Sequence, residues 1–172
     1  RFSDTFLIVT PGITIRDRLR VLLPNDPTNY YRERDILPTD RQVELQKATI
    51  VITNFHAFKP REKYAVARLT KKLLTRNGEG KQLVESPDEM VRRVCRELGN
   101  KKNIIVINDE AHHCYRGKPE TDDDEGVVLK GDERREAEKR EEAARIWISG
   151  LEAVKSKIGV RMIYDLSATP FF

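Results

Sequence analysis

Four short runs of apolar and β-branched residues recur along the 172-residue chain: FLIVT (6–10), TIVIT (49–53), NIIVI (103–107) and VRMIYDL (160–166). Each is too short for a helix and too continuous for a strand with one wet face. Each therefore reads as a strand buried on both faces. Helical patterns lie between them, and strands alternating with helices pair in parallel through right-handed crossovers. The expectation is one α/β domain, a mostly parallel sheet with flanking helices. A chain of this length can bury roughly 70% of its unfolded surface.

The helical segments carry their own punctuation. ITIRDRLRVLL (13–23) puts Ile15, Leu19 and Leu22 on one stripe, and Pro24 closes it. SPDEMVRRVCREL (86–98) begins with Ser86 as N-cap, Pro87 at the first helical position and Glu89 completing a capping box; Gly99 ends it. The longest helix is expected from Asp132 to about Lys157. Glu136–Arg140 and Glu141–Arg145 are four-apart pairs on its wet side, and Ile146, Trp147, Leu151 and Val154 give an apolar face. Gly150 weakens it by ~1 kcal/mol relative to alanine.

Charged residues make up 35% of the chain, which suits long solvated helices. No apolar run approaches the ~20 residues needed to span a bilayer, and RFSDTFLIV is not a signal peptide. Cys95 and Cys114 set neither a disulfide framework nor a zinc spacing, as expected in a reducing cytoplasm. Residues 1–102 hold 21 basic against 13 acidic residues, a net of +8; residues 103–172 hold 11 against 15, a net of −4. Within the first part, KPREKYAVARLTKKLLTR (59–76) has seven bases and one acid. Such a segment is either a solvated helix face or a phosphate-binding one. The acidic PETDDDEGVV (119–128) lacks the spaced ligands of a calcium hand and reads as a surface loop.

In open parallel sheets, functional residues collect at the carboxyl ends of strands. Here those ends read Thr10-Pro11-Gly12, Thr53-Asn54, Asp109-Glu110-Ala111-His112 and Ser167-Ala168-Thr169-Pro170. The set resembles the first motor domain of superfamily 2 helicases and translocases. DEAH matches their Walker B motif and SAT their third motif. TPG with Arg16 resembles motif Ia, and TNFHAF (53–58) the Ib region. The wording NDEAHHCYR and DLSATPFF is most similar to the motor subunit of type III restriction enzymes. The resemblance runs from about Thr5 to Phe172. It implies a RecA-like fold, ATP and Mg2+ as cofactors, and DNA, in duplex form, as partner. A modification or specificity subunit is a further implied partner.

The residue types suit that chemistry. Asp109, at the end of a rigid strand, can hold hydrated magnesium, which prefers carboxylate and water oxygens. Glu110 can orient and deprotonate the attacking water. His112 can hydrogen-bond to Ser167 or Thr169, linking the phosphate site to neighbouring motifs as a motor requires. Thr10, Pro11, the Gly12 backbone and Arg16 are candidates for gripping a nucleic-acid phosphate, with Thr53 and Asn54 adding a second contact. Plainer readings stand beside these. Asp109 and Glu110 can cap a turn. Asp109, His112, His113 and Cys114 offer zinc donors, but nearly consecutive residues do not converge without a second ligand group. His113 and Cys114 read as packing residues and His56 as a core or turn histidine. Ser167 is in no G-x-S-x-G elbow.

A phosphate loop, G-x-x-x-x-G-K-[ST], is not found. Its nearest imitation, RNGEGKQL (76–83), has Gln82 where a hydroxyl belongs and Thr75 where the first glycine belongs. The resemblance implies that the loop and its strand precede Thr5, and that a second motor domain follows Phe172. Residues 1–172 are thus expected to be a partial first RecA-like domain, inactive alone. The alternative is a non-hydrolysing nucleic-acid-binding module with a degenerate motor fold. With the loop's strand expected beside the SAT strand, residues 161–166 should stand at a sheet edge.

Overall fold

The computed structural model describes residues 3–62, 84–115 and 132–168. Strands form at the four apolar runs: β1 (Thr5–Thr10), β2 (Thr49–Asn54), β3 (Ile104–Asn108) and β4 (Val160–Asp165). They make one all-parallel sheet in the order β2-β1-β3-β4, flanked by helices. The first three strands are adjacent and β4 is an edge, as expected. Among the described residues no helix is long and apolar enough to cross a membrane.

Strand register explains where the core lies. Leu7 stands opposite Val51 on one side and Val106 on the other, so alternate residues of three strands share one face. Leu7, Val9, Val51, Ile104 and Val106 are all buried there. Helix α4 (Pro87–Val94) and helix α6 (Asp132–Lys157) cover this face with Met90, Val91, Trp147 and Val154, and the 3-10 turn Phe55–Phe58 adds Phe55 and Phe58. The α4 start is the capping box read from the sequence. The Ser86 hydroxyl accepts from the Glu89 N–H, and the Glu89 carboxylate accepts from the Ser86 N–H. The two four-apart pairs of α6 are present, Arg140 with Glu136 at 3.2 Å and Arg145 with Glu141 at 2.8 Å.

Other elements depart from the sequence reading. The helix expected over 13–23 is α-helical only in α1 (Ile13–Arg18) and tightens to a 3-10 turn at Leu19–Leu22. Leu23 is already extended, the conformation that a following proline imposes. The 86–98 helix likewise ends its α-helical part at Val94, with a 3-10 turn over Arg96–Leu98 before Gly99. Residues before β2 hold two short helices that the periodicity did not announce, α2 (Tyr30–Glu33) and α3 (Thr39–Leu45). A last short helix, α5 (His112–Tyr115), follows β3.

The larger correction concerns β4, which is not buried on both faces. Met162, Ile163, Tyr164 and Leu166 are each about half exposed, and only Val160 packs partly against the core. The reason is position: β4 has β3 on one side and, among the described residues, no strand on the other. The basic residues 63–76, RNGEGKQL, the acidic 119–128 segment and Thr169 lie outside the described residues.

Gly150, which the helix reading counted as a weakness, has a packing reason. A Cβ at that position would stand 2.6 Å from Phe58 Cβ and closer still to the ring, so α6 meets the Phe55–Phe58 turn through bare backbone. Gly150→Ala is therefore expected to lower stability by about 1–3 kcal/mol, overriding the ~1 kcal/mol that alanine gains in helix propensity. A thermal melt followed by circular dichroism checks this; an unchanged or higher Tm would contradict the close-approach account.

Candidate active site at the carboxyl ends of the strands

Parallel pairing brings the carboxyl ends of all four strands to one end of the sheet, with Ser167 and Ala168 following the last. Asp109 leaves β3 with its N–H donating to the Val9 carbonyl at 2.9 Å. One residue on, Glu110 has φ +52°, a left-handed conformation uncommon outside glycine and often found at functional sites. This turn brings the chain back over the sheet: the Ala111 N–H donates to the Leu166 carbonyl at 2.9 Å, and Leu166 N–H to Asn108 at 2.8 Å. DEAH and SAT are thereby joined through backbone as well as side chains.

The buried His112 is the hub. Its Nδ1 lies 2.8 Å from Ser167 Oγ and 3.2 Å from Glu110 Oε2. A carboxylate only accepts, so the tautomer with the proton on Nδ1 suits this arrangement. Of the two partners that the sequence offered to His112, Ser167 is the one in contact; Thr169 lies outside the described residues, and Ala168 is exposed beside Ser167. Cys114 is buried, its thiol against the Ala111 carbonyl at 3.0 Å, and His113 is exposed, its ring 4.2 Å from that of His112.

The Asp109 carboxyl is raised above the usual carboxylate range, first by partial burial and then by the neighbouring Glu110 charge. The repulsion between these adjacent carboxylates is one that a hydrated divalent cation would relieve. Among the described residues no three histidine, cysteine or acidic side chains group as a metal cage. A cation here would hold to Asp109 and complete its shell with water and phosphate oxygens, the usual habit of magnesium.

Asn108 is the residue that sequence reasoning passed over. It is fully buried; its amide N–H donates to Asp165 Oδ1 at 2.7 Å, and its amide oxygen accepts from Trp147 Nε1 at 3.3 Å. Trp147 in turn stacks on Phe55, with centroids 5.2 Å apart and planes 4° from parallel. One amide thus ties β3 to β4 and to α6. The only sequence signal was a polar residue closing an apolar strand.

The candidate nucleic-acid residues divide into two groups. Thr10 is buried, its hydroxyl donating to the carbonyls of Gly12 (3.0 Å) and Thr53 (3.3 Å). Thr53 is buried too, and Asn54 spends its side-chain oxygen on the Ala57 N–H, capping the Phe55–Phe58 turn. These three side chains hold the rim in shape. Pro11 and Gly12 form its accessible part, and a Cβ at Gly12 would meet nothing within 4 Å. Arg16 pairs with Asp17 at 2.7 Å and lines a groove of about 330 Å³ along β2, with Arg20 and Ile52. His56 is an exposed turn residue with its ring against Phe55.

Comparison with protein-family models, with curated proteins and with solved structures finds no match to this chain.

Two outcomes follow from the geometry. For Asp109, a raised folded-state value means that ionisation costs stability as pH rises through and above the ordinary carboxylate range. Asp109→Asn should thus stabilise the fold at neutral pH, with the gain vanishing below the ordinary aspartate range. Chemical denaturation at several pH values reads this, and a variant less stable at neutral pH would sink the account. Asn108→Leu leaves the buried Trp147 indole N–H without its acceptor and removes the side-chain bond to Asp165. A loss of about 1–3 kcal/mol for the orphaned indole is expected, read as a lower denaturation midpoint at unchanged m-value.

Proposed function

We propose that this domain contributes the Walker B and coupling elements of an ATP-dependent motor that moves on DNA, most similar to the helicase-type motors of restriction systems. The observation that carries the reading is the contact of His112 with both Glu110 and Ser167. It joins the DEAH and SAT segments, which are 55 residues apart in sequence. The same pattern that suggested the resemblance is thus physically connected at one end of one sheet.

ATP with Mg2+ would supply the phosphoryl group and the charge neutralisation that its transfer needs. Asp109 would hold the hydrated ion on its partly buried carboxylate. Glu110 would accept the proton of the attacking water, with the His112 Nδ1–H fixing one carboxylate oxygen and leaving the other for the water. Ser167, on the loop after β4, would sense through His112 whether Glu110 is engaged. A shift of this hydrogen bond is the kind of two-state event that couples a phosphate site to movement elsewhere. Pro11, the Gly12 backbone and Arg16 would meet nucleic-acid phosphates, with Thr10, Thr53 and Asn54 positioning the backbone beneath them.

In the full-length protein, Glu110→Gln should leave ATP binding intact while lowering DNA-stimulated hydrolysis by ~10²–10⁴-fold, the range for loss of a general base. Arg16→Ala should weaken DNA binding and reduce the salt slope by ~1. A second reading, a nucleic-acid-binding module that does not hydrolyse ATP, draws on the net charge of +8 over residues 1–102. Phosphate release that is absent from the full-length protein, alongside retained DNA binding, would select it.

A further inference from the structure

Strand β4 carries apolar residues to an open edge. Met162, Ile163, Tyr164 and Leu166 are between 43% and 53% exposed, and Arg161 and Asp165 are exposed with them. Among the described residues no strand pairs with β4 on the side away from β3. The Leu166 N–H donates to the Asn108 carbonyl at 2.8 Å, and the Leu166 carbonyl accepts from the Ala111 N–H at 2.9 Å, so both of its backbone groups face β3. Backbone groups alternate sides along a strand, so those of Met162 and Tyr164 face β3 too, and those of Ile163 and Asp165 point to the open side. The register with β3 is regular from Met162 to Asp165; its irregularity falls earlier, between Val160 and Met162. Lysine and proline are common means of blunting such an edge, and VRMIYDL (160–166) contains neither.

We propose that β4 pairs with the β4 of a second copy of this chain, antiparallel about a two-fold axis through Ile163. The argument is the self-complementarity of the segment. With the axis at Ile163, Arg161 stands opposite Asp165 of the second copy, and Asp165 opposite Arg161, so the contact carries two opposite-charge pairs. Ile163 faces its own copy, and Met162 faces Tyr164, a thioether beside a ring. The outward backbone groups of the two Ile163 residues then meet, as a hydrogen-bonded antiparallel pair requires. Other registers lose this match. In-register parallel pairing sets Arg161 on Arg161 and Asp165 on Asp165, and moving the axis to Met162 or Tyr164 sets one of the charges against Ile163. Asp165 already accepts from the Asn108 amide at 2.7 Å, and a carboxylate has room for a second donor. Antiparallel pairing also sends the carboxyl ends of the two sheets in opposite directions, so the two candidate sites lie apart. A contact of one short strand is small, which makes this a weak, concentration-dependent dimer.

Sedimentation of the 172-residue chain over about a hundredfold range of concentration should show monomer passing to dimer, less readily at high salt. Arg161→Asp, an exposed change that puts like charges opposite each other at both ends of the contact, should raise the dissociation constant about tenfold. Lys139→Asp, the same charge change at an exposed position of α6, should leave it nearly unchanged. Ile163→Cys places two thiols across the axis with Cα atoms about 5.5 Å apart, within disulfide reach. Mild oxidation of the native chain carrying that change should give a covalent dimer, since Cys95 and Cys114 are buried. Met162→Cys, diagonal to its own copy at about 7–8 Å, should link poorly.

A chain that stays monomeric across the whole range, with no Ile163→Cys linkage, overturns the proposal. Equal weakening by Arg161→Asp and Lys139→Asp overturns it too, since association would then follow overall charge. So does preferential linkage through Met162→Cys, which moves the axis. Ile163 and Asp165 amides protected from hydrogen exchange in a strictly monomeric protein give the edge to another segment of the same polypeptide, such as the strand that the resemblance implied, and the second copy is then excluded. None of these results bears on hydrolysis at the Asp109–Glu110 turn, which is tested separately by Glu110→Gln.

Discussion

The Asn108 side-chain amide is the junction on which the upper end of this sheet depends. A buried amide is costly unless its donor and acceptor are both satisfied, and here each goes to a different element: the donor to Asp165 of β4, the acceptor to Trp147 of α6. The bond to Asp165 holds the edge strand to β3 just before Ser167, and the bond to Trp147 aligns α6 above the strand end. Trp147 stacks on Phe55, and the turn bearing Phe55 is capped by Asn54. Removing the amide would therefore loosen the end of β4, α6 and the Phe55–Phe58 turn together.

Above that junction the fold tolerates two costs. Asp109 and Glu110 keep adjacent negative charges in a partly buried place, and Glu110 holds a backbone conformation that side chains disfavour. Neither improves the packing of the sheet. A left-handed backbone and adjacent charges at a strand end agree with the function proposed above. The surroundings over-determine the turn: the Ala111 N–H donates to the Leu166 carbonyl and the Leu166 N–H to the Asn108 carbonyl, and His112 and Cys114 are buried beside it.

Much of the architecture was legible because its signals are local. Continuous Val/Ile runs gave the strands, Ser86-Pro87-x-Glu89 gave a helix start, and charge pairs gave the wet face of α6. The His112–Ser167 contact was legible in another way, through a resemblance that relates segments far apart in sequence. What the residues concealed depends on tertiary neighbours. Thr10, Thr53 and Asn54 have the right types for phosphate contact, yet burial turns their polar groups inward. Asn108 acquires its role only when Trp147 arrives from a helix 39 residues later. The composition of β4 is that of a core strand, and only its place in the sheet exposes it. Gly150 read as a flaw because helix propensity knows nothing of Phe58.

The strand order has a consequence for how such a chain assembles as it is synthesised. Of the four described strands β1 emerges first, and β2 adds to one of its edges; β3 then takes the other edge, and β4 joins β3. None of these four has to be inserted between two that are already paired. A parallel sheet is slow to form because its partners are distant, here some hundred residues between β1 and β3 along the pairing Phe6 with Ile105. Growth only at open edges shortens that search, since each emerging strand meets a finished template. The edge that receives each new strand thus passes from β1 to β3, and β2 and β4 are the outer strands only once all four are in place.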